Sequence, residues 1–183
     1  HLGPLFPLFQ AAGYQPRFVT FLAGTTGSLK TSLALALFRI YAEDPLTPPA
    51  TFNDTVTALE QKLGRANGSV LVIDDYCPGV TTAASKEKVT KLESVIRFVG
   101  DGVSKSRCKA NLSRAAEYPP SGCAFVTGEL TGGSHSSYLR CLILTIEKGD
   151  IDGRLLEAFQ LHPEVISTHL SFFLSYSACL LYT

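Results

Sequence analysis

Apolar and polar positions along the chain fall into two kinds of segment, short continuous apolar runs and longer stretches with a helical period. Residues 17–23, RFVTFLA, are a β-branched and aromatic run that stops at Gly24, the pattern of a parallel strand buried on both faces. Residues 31–42, TSLALALFRIYA, are rich in Leu and Ala and apolar nearly all round, which predicts a helix buried against a sheet. Three prolines within 44–49 mark a loop. Asn53 or Asp54 then stands ready to cap a helix over 55–66, where Val56, Leu59 and Leu63 recur on one face. Asn67-Gly68 ends that helix, and residues 69–75, SVLVIDD, read as a second buried strand ending in two carboxylates. Residues 86–99 place Val89, Leu92, Val95, Ile96 and Val99 on one face of an amphipathic helix. Residues 100–122 are polar and basic and close on Pro119-Pro120, which reads as a long surface excursion. A third strand follows at 123–127, CAFVT, then a loop at Gly132-Gly133-Ser134 and a fourth strand over 138–147, YLRCLILTIE. The turn Lys148-Gly149-Asp150 ends it, and Asp152 opens a helical tail. At the other end, residues 2–12 predict a short lead-in helix or turn ended by Gly13.

Strands alternating with helices predict a three-layer α/β domain with a mainly parallel sheet covered on both faces. The 183 residues suit one compact domain, divided into a core with its lead-in over 1–160 and a helical C-terminal extension over 161–183. Formal net charge is zero, so any contact with nucleic acid must come from a local patch. The five cysteines are widely spaced and never form C-x-x-C, which argues against a disulfide framework or a zinc site and for a reducing cytoplasm. The histidines lack ligand spacing as well. A chain that starts at His1 and contains no methionine reads as a segment of a longer protein. The apolar run over 165–183 is broken by Ser167, Thr168, His169, Ser171, Ser175 and Ser177, so it predicts a packed or subunit-facing helix, not a membrane span.

The candidate chemistry lies where the first two strands end. Gly24-Thr25-Thr26-Gly27-Ser28-Leu29-Lys30-Thr31, followed by Ser32, matches the phosphate-loop pattern G-x-x-x-x-G-K-[ST] except at Leu29, where glycine is usual. Glycines let successive backbone N–H groups converge on phosphate oxygens, and the helix N-terminus adds its positive dipole end. In that reading residues 24–32 bind ATP, Lys30 bridges the β- and γ-phosphates, and the Thr31 hydroxyl coordinates magnesium. An ordinary polar turn is the competing explanation, supported by the restricted φ of Leu29. Strand, loop and buried helix in that order outweigh it.

Residues 71–75, LVIDD, have the form of a Walker B strand. Asp74 would hold magnesium, usually through water, and Asp75 would orient or deprotonate the attacking water. On a continuing strand the two acids point to opposite sides, so a turn at 76–78 is required, for which Pro78-Gly79 is suited. Thr127, at a strand end, is placed to sense the γ-phosphate or position water, and Glu129 to do likewise. Phosphoryl transfer needs charge neutralisation, for which Arg140 is the candidate, either in its own site or on a subunit edge. Pairing with a surface carboxylate such as Glu147 is the structural alternative. Lys105, Arg107, Lys109 and Arg114 could follow a phosphate backbone or simply be solvated charge.

On GTTGSLKTS, VLVIDDYCPG, FVTGEL and the arginine of SSYLRCLILTIEKGD, the chain resembles the ATPase domains of phage- and plasmid-type primase and helicase proteins and is similar to superfamily three helicases. The resemblance spans about residues 18–160. It implies a RecA-like or AAA-like P-loop NTPase fold, ATP and magnesium as ligands, a homo-oligomeric ring in which Arg140 serves the neighbouring site, and work on single- or double-stranded DNA. Thr127 stands where the family's sensor asparagine is expected. A nucleotide-binding switch with little hydrolysis and a small-molecule kinase are the alternatives, although no arginine-rich lid of the kinase kind is evident.

Overall fold

Strands β1 (Val19–Ala23), β2 (Ala50–Thr51), β3 (Val70–Tyr76), β4 (Cys123–Gly128) and β5 (Cys141–Thr145) form one all-parallel sheet in the order β2-β3-β4-β1-β5. The structure is a computed structural model that describes residues 2–41, 47–77, 81–102, 119–129 and 134–181. The helices are α1 (Leu2–Ala11), α2 (Lys30–Phe38), α3 (Val56–Arg65), α4 (Thr82–Asp101), α5 (His135–Tyr138), α6 (Gly153–Leu161) and α7 (Glu164–Leu181). Side chains alternate across each strand, so the sheet feeds two cores. Val19, Phe21, Leu71, Ile73 and Val126 pack with Leu59 and Leu63 of α3 and Leu92, Val95 and Ile96 of α4. Leu22, Val72 and Phe125 face the other way, toward Ala34 of α2. Both faces are therefore covered over β1, β3 and β4, as their near-continuous apolar runs require, while the edge strand β5 leaves Leu142 and Leu144 exposed. Each fully buried Phe, Leu or Ile removed from water stabilises the domain by about 1.5–3 kcal/mol.

Several boundaries differ from those the pattern predicts, each for a local reason. The cap of α3 is Thr55, whose hydroxyl accepts from Ala58 N, while Asp54 instead accepts from Thr51 N and pairs with Lys62 at 2.8 Å. Helix α4 starts at Thr82, because the Thr81 hydroxyl accepts from Ala84 N; its first turn is exposed and shows no apolar period. The run over 138–147 is not one strand, since His135–Tyr138 form a helical turn, Leu139 and Arg140 a connector, and pairing begins at Cys141. Strand β2 falls between the loop predicted over 44–49 and the next helix, and its two residues are too few to show a period. Helix α2 buries Ala34 and Ala36 but leaves Leu37 partly exposed beside the tail, and the tail breaks in two at Pro163, whose ring restricts the residue before it. The basic residues Lys105, Arg107, Lys109 and Arg114 lie outside the described residues, as do Pro78 and Gly79. Among the described residues no helix is long and apolar enough to cross a membrane.

Candidate nucleotide-binding site

Because all five strands run the same way, the segments that follow β1, β3, β4 and β5 emerge at one edge of the sheet. The loop over 24–29 leaves β1 there and runs into α2, whose first residue is Lys30. Its base is clamped between two neighbours, with Gly24 N donating to Gly128 O at 3.1 Å and Ile146 N donating to Ala23 O at 2.8 Å. Glycine is required at 24 by this clamp, since a β-carbon would stand 2.4 Å from Ile146 O and 2.8 Å from Ser28 Oγ. Gly27 takes φ +83°, a region open to glycine. Ser28 is buried and donates its hydroxyl to Thr25 O at 2.8 Å, which staples the loop from inside. Lys30 Nζ reaches back across it to Thr25 O at 2.7 Å and Ser28 Oγ at 3.3 Å. Leu29, the departure from the pattern, adopts φ 62° and ψ 20°. The loop thus keeps the left-handed backbone that glycine normally supplies, at a cost of about 1–2 kcal/mol for a side chain there.

Next to the loop, Asp74 binds two hydroxyls through one oxygen. Thr31 Oγ1 donates to Asp74 Oδ1 at 2.8 Å, and Thr127 Oγ1 donates to the same atom. Thr127 is buried, so its hydroxyl is spent on aiming Asp74. The second acid is brought round by a device the spacing does not reveal. Between Ile73, opposite Val126, and Tyr76, opposite Gly128, β3 carries one residue more than β4. Such a β-bulge leaves Asp75 at φ 63° and exposed while the strand resumes at Tyr76. The strand bends at Asp75 itself, while the turn expected over 76–78 runs into Pro78, outside the described residues. Gly128 completes the bulge, because a β-carbon there would lie 2.2 Å from Tyr76 O. Glu129, beyond β4, accepts from Thr26 Oγ1 at 3.0 Å and so touches the loop from the acid side.

Lys30, Thr31, Asp74, Asp75, Thr127 and Glu129 line one open polar cleft of about 320 Å³. A larger groove of about 470 Å³ lies between α2 and the α6–α7 tail, with Leu37, Phe38, Phe159 and Ile166 in its walls. It is mainly apolar and distant from the acids, so the chemistry belongs to the cleft. The hard oxygens of Thr31 and Asp74 suit magnesium, which takes few protein ligands beside phosphates and water. No cluster of three acidic, His or Cys side chains suited to a metal occurs among the described residues.

Arg140 is not brought to the cleft of its own chain. Val19 N donates to Arg140 O at 3.0 Å, which puts Arg140 at the amino edge of the sheet, while the loop leaves the carboxyl edge after Ala23. Four residues of strand, about 13 Å, separate the two. Its guanidinium donates to Ser136 O at 2.9 Å and to Asp101 Oδ1 at 3.3 Å; the carboxylate expected as its partner, Glu147, is at the opposite edge. Lys148, expected only as a turn residue, lies against the loop over 24–29 at Gly27. Only the pairing of β5 with β1 reveals that.

No family model and no curated protein matches the chain. Solved structures do. An active helicase described as SCCmec type IV Cch superposes with a TM-score of 0.56 at 12% identity, over 88% of this chain and 29% of that one. The apo C-terminal region of NrS-1 superposes with a TM-score of 0.53 at 11% identity, over 92% of this chain and 40% of that one. The chain therefore spans well under half the length of either. At these identities the likeness is one of fold: the chain has the parallel α/β fold of P-loop NTPases and resembles helicase domains in architecture.

Proposed function

We propose that this chain is the ATPase module of a DNA-directed motor, binding ATP and magnesium on residues 24–32 and hydrolysing ATP in a homo-oligomeric ring. The observation that carries the reading is the convergence on Asp74 of two hydroxyls from separate elements, Thr31 from the start of α2 and Thr127 from β4, directly beside Lys30. That geometry fixes an acid next to an anion cradle, which a chance polar turn has no reason to do. The backbone of Gly24 to Leu29 and the α2 N-terminus receive the phosphates, and Lys30 turns from Thr25 O to the β- and γ-phosphates. Thr31 and Asp74 would hold magnesium, which neutralises charge on the phosphates. Asp75, exposed at the bulge, takes the proton of the attacking water or orients it. Thr127 keeps Asp74 aimed, and Arg140 reaches the γ-phosphate of a neighbouring copy, since its own site is at the other edge of the sheet. The helicase-like architecture supports DNA as the track, and the wide spacing of the cysteines, with no C-x-x-C, supports a reducing cytoplasm as the setting.

A switch that binds nucleotide and hardly hydrolyses it is the second reading, favoured by the left-handed Leu29. ATP binding and turnover of wild type, Lys30→Ala and Asp75→Asn, each with and without single-stranded DNA, separate the two. The motor reading expects DNA-stimulated turnover in wild type, no nucleotide binding by Lys30→Ala, and binding without turnover by Asp75→Asn. Asparagine is well chosen at 75, because it tolerates positive φ. Tight binding with no turnover in wild type selects the switch, and full activity in both variants overturns the site.

A further inference from the structure

Lys148 has no part in the reading above, yet the end of β5 delivers it to the phosphate loop. Ala23 is opposite Thr145 in the β1–β5 pair, and the bond from Ile146 N to Ala23 O lays the continuation of β5 along the base of the loop. The chain then turns back. Glu147 N donates to Asp150 Oδ2 at 2.8 Å, Asp150 N donates to Glu147 O at 3.3 Å, and Gly149 takes φ +100°. This side-chain-closed turn is the kind that Asp sets with its own neighbouring backbone. It points Lys148 at Gly27, where a β-carbon would lie 3.4 Å from Lys148 Cε and 3.8 Å from Nζ.

The ammonium groups of Lys30 and Lys148 therefore approach the same short loop from different elements, Lys30 from α2 and Lys148 from β5. None of the ion pairs among the described residues uses Lys148. Asp150 in the same turn has an oxygen committed to Glu147 N. Two cations thus converge on one glycine-lined loop whose nearest carboxylate, Glu129, is engaged by the Thr26 hydroxyl at 3.0 Å, and a polyphosphate carries several negative charges that suit both. We propose that Lys148 is a second phosphate-binding cation of the nucleotide site, gripping the polyphosphate from the β5 side while Lys30 grips it from α2. Gly27 then serves twice, giving the loop its left-handed turn and leaving open the space between backbone and ammonium. This rests on the nucleotide-site reading and adds a residue to it.

Equilibrium binding of ATP, ADP and adenosine to wild type, Lys148→Ala, Lys148→Arg and Lys30→Ala, at two salt concentrations and with a thermal melt of each protein, tests the assignment. Lys148→Ala should bind ATP about tenfold more weakly, with a smaller loss for ADP, none for adenosine, and a shallower salt dependence. Lys148→Arg should recover most of the affinity. The melting temperature should not move, because Lys148 is exposed. If Lys148→Ala binds ATP like wild type while Lys30→Ala does not bind it, Lys148 has no such role and the site reading survives. A loss that falls equally on adenosine and is not restored by arginine indicates a distorted turn and overturns the proposal. Wild type that binds no ATP overturns both.

Discussion

The two edges of the sheet solve the same backbone problem with different residues. At the amino edge, where helices end and strands begin, left-handed positions are filled by Gly13, Asn67, Gly68 and Gly102, residues suited to them. At the carboxyl edge Gly27 and Gly149 do the same, but Leu29 and Asp75 also stand at φ 62° and 63°. A leucine held there costs about 1–2 kcal/mol, and the surrounding structure must compensate for it. The strained residue thus stands at the edge that holds Lys30, Asp74 and Thr127, and both left-handed side chains serve that edge: Leu29 keeps the loop wound, and Asp75, a residue type that tolerates such a φ, leaves the strand to join Asp74. The amino edge is relaxed but carries Arg140, tied to Asp101 by a pair that is 39% and 52% exposed on its two sides. One edge carries the residues proposed to hold a nucleotide, and the other carries Arg140, the arginine proposed to act on it.

If the division means that two copies share each site, removing Arg140 is the sharpest way to break the comparison. Arg140→Ala should lower turnover of the assembled protein about 10³-fold, the low end for loss of an arginine finger, and leave ATP affinity unchanged. Stability should fall by less than about 1 kcal/mol, because an exposed ion pair contributes little. Mixing Arg140→Ala chains with Lys30→Ala chains should restore part of the activity, since a mixed interface unites an intact loop with an intact arginine. Turnover of the mixture no higher than that of its components would remove Arg140 from the mechanism.

A smaller effect tests the carboxyl edge alone. Thr127→Val preserves shape and burial but takes away one of the two hydroxyls that Asp74 accepts. Loss of a hydrogen bond to a charged group costs about 1.5–3 kcal/mol, so turnover should drop at least tenfold and half-activation should need more magnesium. Unchanged magnesium dependence would show that Thr127 does not position Asp74.

Much of this arrangement is legible along the chain, and what is not has a physical cause. Apolar runs at 17–23, 69–75 and 123–127 mark three core strands because each is buried on both faces, and Gly24 to Thr31 stands out because phosphate loops need glycine and lysine at fixed spacing. Pattern alone misplaces Leu139 and Arg140 into a strand, since YLRCLILTIE has no glycine or proline to mark where α5 ends and β5 begins. Nothing local announces the bulge at Asp75, because an extra residue is defined by the partner strand. The bond from Thr127 to Asp74 and the approach of Lys148 to Gly27 likewise depend on strand order, joining residues far apart in the chain. Single residues with a distinctive chemistry can be read in advance; residues whose role is to touch another element cannot.

The finest test concerns Leu29, where the two edges differ by a single choice of residue. Leu29→Gly relieves the left-handed strain, worth about 1–2 kcal/mol, but glycine gives back about 0.5–1 kcal/mol through its greater freedom in the unfolded chain. Leu29 also approaches α6, where a β-carbon on Gly153 would lie 3.8 Å from its Cδ1, and that contact is lost. The net gain should be about 0.5 kcal/mol, a rise in melting temperature of about 1–2 °C for a chain of this size. Nucleotide affinity should rise as well, because the loop no longer needs α6 to hold its shape. A lower melting temperature would mean that the leucine packing on α6 outweighs the strain, and that the carboxyl edge is held together by the very residue that departs from the pattern.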